Sequence, residues 1–288
     1  MIDSVQNKGY RITEYPDIIT ASEIESLLLD DSGNMQGICR HIQYFDKTDS
    51  TNNQAKLAAE KNAPEGTLFV AECQTGGRGR RGKTWESPAG SGIWMSLLLR
   101  PDISPESASM LTLVLAVAMV DAINEEVQDA KCYVKWPNDI VLNNRKISGT
   151  LTEMSAEMDS IHYVVIGIGI NVNTTDFDES IKDMATSIYL GTGKKVKRSN
   201  IIAAFSHSFK KYYEAFLKTQ DLTYIVDRYN ELLINKGRTV KAIYANKELV
   251  GEALGINKDG ELIIKTEDGC ETAIRAGEVS VRGLYGYV

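Results

Sequence analysis

The sequence predicts an α+β protein, a mixed β-sheet flanked by helices and followed by a small β-barrel. Two observations carry this. Over most of the chain, strand-like runs rich in Val, Ile, Tyr and Thr follow one another across short turns, with helical stretches between them. From about Gly237 the texture changes to short strands split by NKDG and EDG, which are hairpin signals. The expected division is an end piece with linker over residues 1–20, a main unit over 21–235 and the barrel over 236–288.

The elements follow in order. Residues 1–20 are short, polar and broken by Gly9 and Pro16. Residues 20–31 open on Thr and carry apolar residues at helical spacing, so they predict a helix. HIQYF (41–45) is strand-like, and DSTNNQAKLAAEK (49–61) runs from N-cap residues into good helix formers. GTLFVAEC (66–73) and GIWMSLLL (92–99) are strands flanking a Gly/Arg stretch. Residues 104–127 predict one long helix, with Pro105 and Glu106 near its start. KCYVKW, DIVLN, KISGTLTEM and HYVVIGIGINV are four further strands. Helices are then expected over 199–217 and 222–233, and TVKAIY, ELVGEALGI, GELIIKT and ETAIRAGEVSVRG supply the barrel strands.

Composition narrows the function classes. A formal net charge of −7 argues against nucleic acid as a default partner. The run MLTLVLAVAMV (110–120) is too short to span a bilayer and reads as a buried helix, and the N-terminus has no signal-peptide core. Four scattered cysteines (Cys39, Cys73, Cys132, Cys270) suit a reducing cytoplasm. With three scattered histidines they present no metal-ligand spacing.

GRGRRGKT (77–84) satisfies both the P-loop and the dinucleotide-binding patterns. Each of those needs a helix directly after the glycines. Here Pro88, Gly90 and Gly92 arrive within a few residues and a strand follows, so both readings are set aside. What remains is specific: Arg78, Arg80, Arg81 and Lys83 put four cations on a glycine-rich segment of an acidic protein. The expectation is a disordered loop that closes on an anionic ligand, since arginine grips phosphate or carboxylate with two parallel hydrogen bonds.

DSTN (49–52), GRGRRG (77–82), KWPND (135–139), RKISGTLTE (145–153) and GIGINVN (167–173) occur in this order. The set closely resembles the biotin–protein ligases, from about residue 41 to 176 and more weakly to GEVSVRG (277–283). The resemblance implies a catalytic unit of the class II aminoacyl-tRNA synthetase-like, biotin–lipoate ligase type and an SH3-like C-terminal barrel. It implies an ATP-dependent ligase using Mg²⁺: biotin and ATP give biotinyl-5′-AMP, and a lysine of a biotin carboxyl carrier protein of acetyl-CoA carboxylase then takes the biotin. A homodimer through the sheet edge is a further analogy from the family. Neither step needs a covalent enzyme nucleophile, and no Ser–His or Cys–His arrangement offers one.

The roles carried over are these. Ser50, Thr51 and Gln74, with neighbouring Asn52, would bind the biotin ureido group; Ser50 could also be a helix N-cap. Gly77 lets the loop approach. Arg78 would hold the biotin carboxylate or the acyl-phosphate, Arg80 and Arg81 would order the loop, and Lys83 would reach the ATP phosphates. Trp85 would stack on adenine, with a core aromatic as the rival reading. Lys146 is the main catalytic candidate, beside Arg78 and Asp139. Asn138 and Asp139 would serve the metal–phosphate group or the incoming amine, with a turn role as the alternative. Gly149 would form the pocket wall, Asn171 would bond the nucleotide, and Glu278 and Arg282 would complete the ATP site. Cys73 and Thr150 depart from the residues usual in the family. VQNKGYRI (5–12) resembles only the last wing strand of the winged-helix domain that many bacterial relatives carry, so no operator DNA is expected to bind this chain. A biotin-responsive repressor and a lipoate or octanoate ligase are the rival functions.

Overall fold

The computed structural model describes residues 2–5, 9–12, 16–244, 247–275, 280–283 and 287–288. Strands β1 (Ile2–Val5) and β2 (Gly9–Ile12) pair antiparallel. The first twenty residues were expected to hold one wing-like strand, and they hold two.

Helix α1 (Ala21–Leu28) is capped by Thr20, whose hydroxyl accepts from the Glu23 N–H. It ends earlier than its apolar spacing predicts, because Asp30 accepts from the Ser32 and Asn34 amides and turns the chain. Strand β3 (His41–Thr48), helix α2 (Thr51–Ala59), β4 (Thr67–Gln74) and β5 (Gly92–Leu99) follow.

The helix expected over 104–127 divides. Pro105–Met110 is a 3₁₀ segment, and α3 (Leu111–Glu126) begins after it. Serines explain the tighter winding. Ser104 and Ser107 meet through their hydroxyls, and Ser109 bonds the Glu106 carbonyl, all at the i,i+3 spacing that a 3₁₀ turn brings together. By length and composition Pro105–Glu126 could cross a bilayer, yet most of it is buried against the rest of the protein.

Strands β6 (Cys132–Lys135), β7 (Asp139–Leu142), β8 (Arg145–Ala156) and β9 (Ile161–Asn171) complete a seven-stranded sheet in the order β3-β4-β5-β9-β8-β7-β6. Only β3 and β4 run parallel, so the sheet is mixed, as predicted. The β7–β8 turn places Asn143 and Asn144 at φ +51° and +60°, the left-handed pair that a tight hairpin requires.

Helix α4 (Ile188–Thr192), which the sequence did not announce, precedes the long α5 (Arg198–Thr219) and short α6 (Val226–Leu232). Residues 222–225 leave the expected last helix because the Leu222 amide donates to the Lys258 carbonyl in the C-terminal unit. That unit comprises β10 (Thr239–Tyr244), β11 (Lys247–Ile256), β12 (Leu262–Lys265), β13 (Glu271–Ile274) and β14 (Ser280–Gly283). It is an antiparallel sheet in the order β13-β12-β11-β10-β14. This small five-stranded antiparallel unit is consistent with the expected SH3-like domain, and among the described residues no pairing joins β13 to β14.

The large sheet buries its two faces differently. Leu68, Val70, Met95, Leu97, Ile166, Ile168 and Ile170 pack with α3 and α5 in the main core. Phe69, Leu98, Val165 and Tyr163 form a smaller cluster with Ala55 and Ala59 of α2. The rest of that second face is where the predicted residues gather. Trp136, fully buried, donates its indole N–H to the Gly260 carbonyl at 3.1 Å and ties the C-terminal sheet to the large one.

Arg198 anchors the linker. It is 1% exposed and bonds Asp17, Glu72 and the Gly92 carbonyl. Replacing it by Ala strands two carboxylates, so Arg198→Ala is expected to cost about 3 kcal/mol of stability. A lower urea midpoint with an unchanged slope checks this.

Candidate active site

The site begins with strand alternation. On β9, Ile166, Ile168 and Ile170 point into the core, and Gly167, Gly169 and Asn171 occupy the other face. Side chains from elsewhere fill the space the glycines leave. A Cβ on Gly167 would lie 2.0 Å from Asn52 Oδ1, and one on Gly169 would lie 2.4 Å from the Trp85 indole nitrogen. Gly149, paired with Gly169 on β8, takes the other side of the indole.

Ser50 sits at the N-cap of α2, but its side chain makes no capping bond, so the structural alternative for this hydroxyl is not realised. Thr51 donates through its amide (2.8 Å) and its hydroxyl (3.1 Å) to Gln74 Oε1, and Gln74 Nε2 donates to Ser87 (2.9 Å). Ser96 Oγ lies 2.7 Å from Thr51 Oγ1 and 2.6 Å from Asn52 Oδ1. Asn52 Nδ2 donates to Glu153, which also pairs with Lys56 at 2.7 Å. Burial works against the charged form of Glu153, yet the bonds from Lys56 and Asn52, aided by the Arg78 charge, hold its pKa below the ordinary value. Neutral donors and acceptors therefore line one end of this face, which suits a polar, uncharged ring.

The Gly/Arg segment is folded, which corrects the expectation of a disordered loop. The Trp85 amide donates to the Gly77 carbonyl, Gly79 donates to the Lys83 carbonyl, and Arg80–Gly82 make a 3₁₀ turn with Arg81 at φ +57°. Gly77 is buried, and a Cβ there would lie 2.3 Å from the Trp85 carbonyl oxygen, so only glycine lets the two arms close. Arg80 donates to Asn138 Oδ1 at 2.6 Å. Burial lowers the Arg80 pKa, opposed by the nearby Asp139 charge. Arg78, Arg81 and Lys83 are exposed along the same turn.

Lys146 stands at the start of β8, just past the Asn143–Asn144 turn. Its Nζ is 2.5 Å from Asp139 Oδ1, an ion pair without hydrogen-bond alignment at that oxygen. The same ammonium is 5.4 Å from the Trp85 ring centroid, within cation–π range. Residues 184–186 grip its backbone: Lys146 donates to the Met184 carbonyl (2.7 Å), and Thr186 donates to the Lys146 carbonyl (2.8 Å). Asn138 is fixed to Thr150 in both directions, so its turn role and its contact with Arg80 coexist.

Ser50, Thr51, Asn52, Gln74, Gly77, Arg80, Trp85, Asn138, Asp139, Lys146 and Gly149 thus form one connected surface. Asn171 is 7% exposed and gives its amide N–H to the Thr186 carbonyl, so it braces the 184–186 segment. Glu278 lies outside the described residues. Arg282 pairs with Lys241 through the β14 backbone, its side chain outside the described part. Sequence reasoning missed Ser87, Ser96, Glu153 and Tyr287, whose hydroxyl donates to Asp139 Oδ2. Glu153 closes a quoted motif and could have been weighed, whereas the others carried no local signal.

Trp85 has a buried indole N–H without a partner among the described residues, while Trp94 and Trp136 are each 1% exposed and bonded. Gly169→Ala is expected to push the Trp85 indole off the sheet. A red-shifted emission with stronger acrylamide quenching checks this, and an unchanged spectrum contradicts it.

Comparison with known proteins adds a second line. Residues 44–171 match the biotin/lipoate A/B protein ligase family, and residues 237–282 match the biotin protein ligase C-terminal domain. The bifunctional ligase/repressor BirA of Bacillus subtilis (strain 168) is 40% identical over 270 residues, 93% of this chain and 81% of the relative. The biotin–[acetyl-CoA-carboxylase] ligase of Paracoccus denitrificans is 32% identical over 82% of this chain and 99% of its own length. Among solved structures, the Aquifex aeolicus biotin protein ligase in complex with biotin and ATP aligns with a TM-score of 0.74 at 30% identity, over 85% of this chain and 99% of that one. A sheet face hollowed by glycines, a polar end, a cationic end and these likenesses agree, and the chain belongs to the biotin protein ligase family.

Proposed function

We propose that this chain activates biotin with ATP and transfers it to a lysine of a biotin carboxyl carrier protein, such as the carrier subunit of acetyl-CoA carboxylase. The observation that carries the reading is the join between two unlike chemistries on one face. Thr51, Gln74 and Ser96 offer a neutral polar end, and Lys146 and Arg80 a cationic one, with the Trp85 indole between them over Gly149 and Gly169. A molecule with an uncharged polar ring at one end and a carboxylate at the other fits that order.

In the first step a biotin carboxylate oxygen attacks the α-phosphorus of ATP, and the bond to the β-phosphate breaks to release pyrophosphate. Negative charge grows on the phosphoryl oxygens, where Lys146 and Arg80 supply positive charge held in place beforehand. Arg78, Arg81 and Lys83 extend that field along the turn. In the second step the carrier lysine amine attacks the acyl carbon and AMP leaves. Asp139, beside Lys146, is the carboxylate suited to receive a proton from that amine. Excluding water matters throughout, because the mixed anhydride hydrolyses.

Mg²⁺ belongs to this reading as an ion carried by the triphosphate. Among the described residues no three His, Cys, Asp or Glu side chains converge, which fits an ion held mostly by phosphate and water with Asp139 as the protein carboxylate at hand. When bound, it neutralises phosphate charge. Asn171, Glu278 and Arg282 stay in the reading as nucleotide-side residues, Asn171 through the segment that grips Lys146. The division at 21–235 and 236–288 and a cytoplasmic setting stay as well. A homodimer through a sheet edge stays in the reading as an analogy from the family. A lipoate-type substrate is the alternative to test in a panel.

Lys146→Ala is expected to lower biotin-dependent pyrophosphate release about 10²–10³-fold while the protein stays folded. Near-normal adenylation in a folded variant removes Lys146 from its role. Arg80→Gly cuts the tether to Asn138 and is expected to speed escape of biotinyl-AMP about tenfold. Unchanged retention in a trapping assay contradicts it.

A further inference from the structure

We propose that Tyr287, which follows β14, is a positioning residue for two lysines of the site, Lys146 and Lys135. The inference rests on the ligase reading above and assigns to Tyr287 a part in the first step. Its hydroxyl donates to Asp139 Oδ2, and Lys146 faces Oδ1 of the same carboxylate at 2.5 Å. Its ring lies under Lys135, whose Nζ is 3.5 Å from the ring centroid. Lys135 is only 4% exposed and opens KWPND, the segment that also supplies Asn138 and Asp139.

The physical argument has two parts. A carboxylate held at one oxygen cannot rotate freely, so Tyr287 sets the direction in which the other oxygen meets Lys146. A lysine with almost no access to water needs its charge balanced, and an aromatic face at 3.5 Å contributes to this from a fixed direction. One side chain thus aims one ammonium through Asp139 and backs the other directly. The arrangement also makes the site depend on a residue that follows β14, so the adenylation step and the docking of the C-terminal unit are coupled.

The test compares the wild-type full chain with Tyr287→Phe and Tyr287→Ala in the biotin- and ATP-dependent pyrophosphate assay. Tyr287→Phe removes the hydroxyl and keeps the ring. Its kcat is expected to fall about tenfold with KM for biotin unchanged. Tyr287→Ala removes both, and KM for ATP is expected to rise as well. An activity-independent readout accompanies the assay. The Lys135 ε-methylene NMR signals are expected to carry a ring-current shift in the wild type and Tyr287→Phe, lost in Tyr287→Ala.

A Tyr287→Phe variant with wild-type kcat overturns the proposal. So do parallel losses of kcat, both KM values and melting temperature in the two variants, the mark of a merely structural residue. Identical Lys135 shifts in all three proteins also overturn it. A wild-type protein with no biotin-dependent release removes the ligase reading and the proposal together, whereas an active wild type with an unaffected Tyr287→Phe removes the proposal alone.

Discussion

Two glycines at alternate positions on one face of a central strand organise this protein. Over residues 166–170 of β9, isoleucine alternates with glycine, and the period of a strand sends Ile166, Ile168 and Ile170 to the core and Gly167 and Gly169 to the opposite face. The core side contributes cohesion through α3 and α5. The glycine side contributes room, and Asn52 and Trp85 occupy part of it from distant positions. A methyl group on either glycine would overlap those side chains. The emptiness of the face is therefore a packing constraint shared by β9, α2 and the segment after the arginines.

Around that hollow, polar groups are satisfied mostly by each other. Thr51, Gln74, Ser87 and Ser96 form a connected set, and Asn52 passes it on to Glu153 and Lys56. Leaving one such buried group unpaired costs about 1–3 kcal/mol, so the set favours one arrangement before any ligand arrives. The Trp85 indole N–H and the Ser148 hydroxyl are buried exceptions with no partner among the described residues. At the other end, cations are held by anchored groups. Lys146 faces Asp139, Arg80 leans on Asn138, and backbone bonds from residues 184–186 fix the strand that carries Lys146. Charge placed in advance is what phosphoryl chemistry asks of a protein, since little covalent work is left to it.

Much of this was legible in the chain. The motifs around residues 49–52, 77–82, 135–139 and 145–149 contained most residues that the fold brings onto one surface. Their types already spoke of neutral recognition beside concentrated positive charge. Other expectations shifted on contact with tertiary structure. The arginine segment reads as disordered because glycine and like charges dominate it locally, yet the Gly77–Trp85 and Gly79–Lys83 bonds and the reach of Arg80 to Asn138 fold it. Asn171 sits in a motif and reads as a ligand group, and the fold adds a bond from its Nδ2 to the Thr186 carbonyl that the motif does not announce. Ser96 and Tyr287 looked ordinary, since a serine within a strand and a tyrosine near a chain end carry no local pattern.

The sequence by itself determined the class of fold, the mixed order of strands and helices, the hollow face of β9 and the kinds of residue available for chemistry. Each of these follows from local rules: a period of two, a turn preference, the charge on a side chain. Only the tertiary structure decided which partners those residues meet. Tyr287 reaches Asp139 across 148 positions, and Ser96 reaches Thr51 across 45. Such contacts arise from the packing of whole elements, and no window of neighbouring residues contains them.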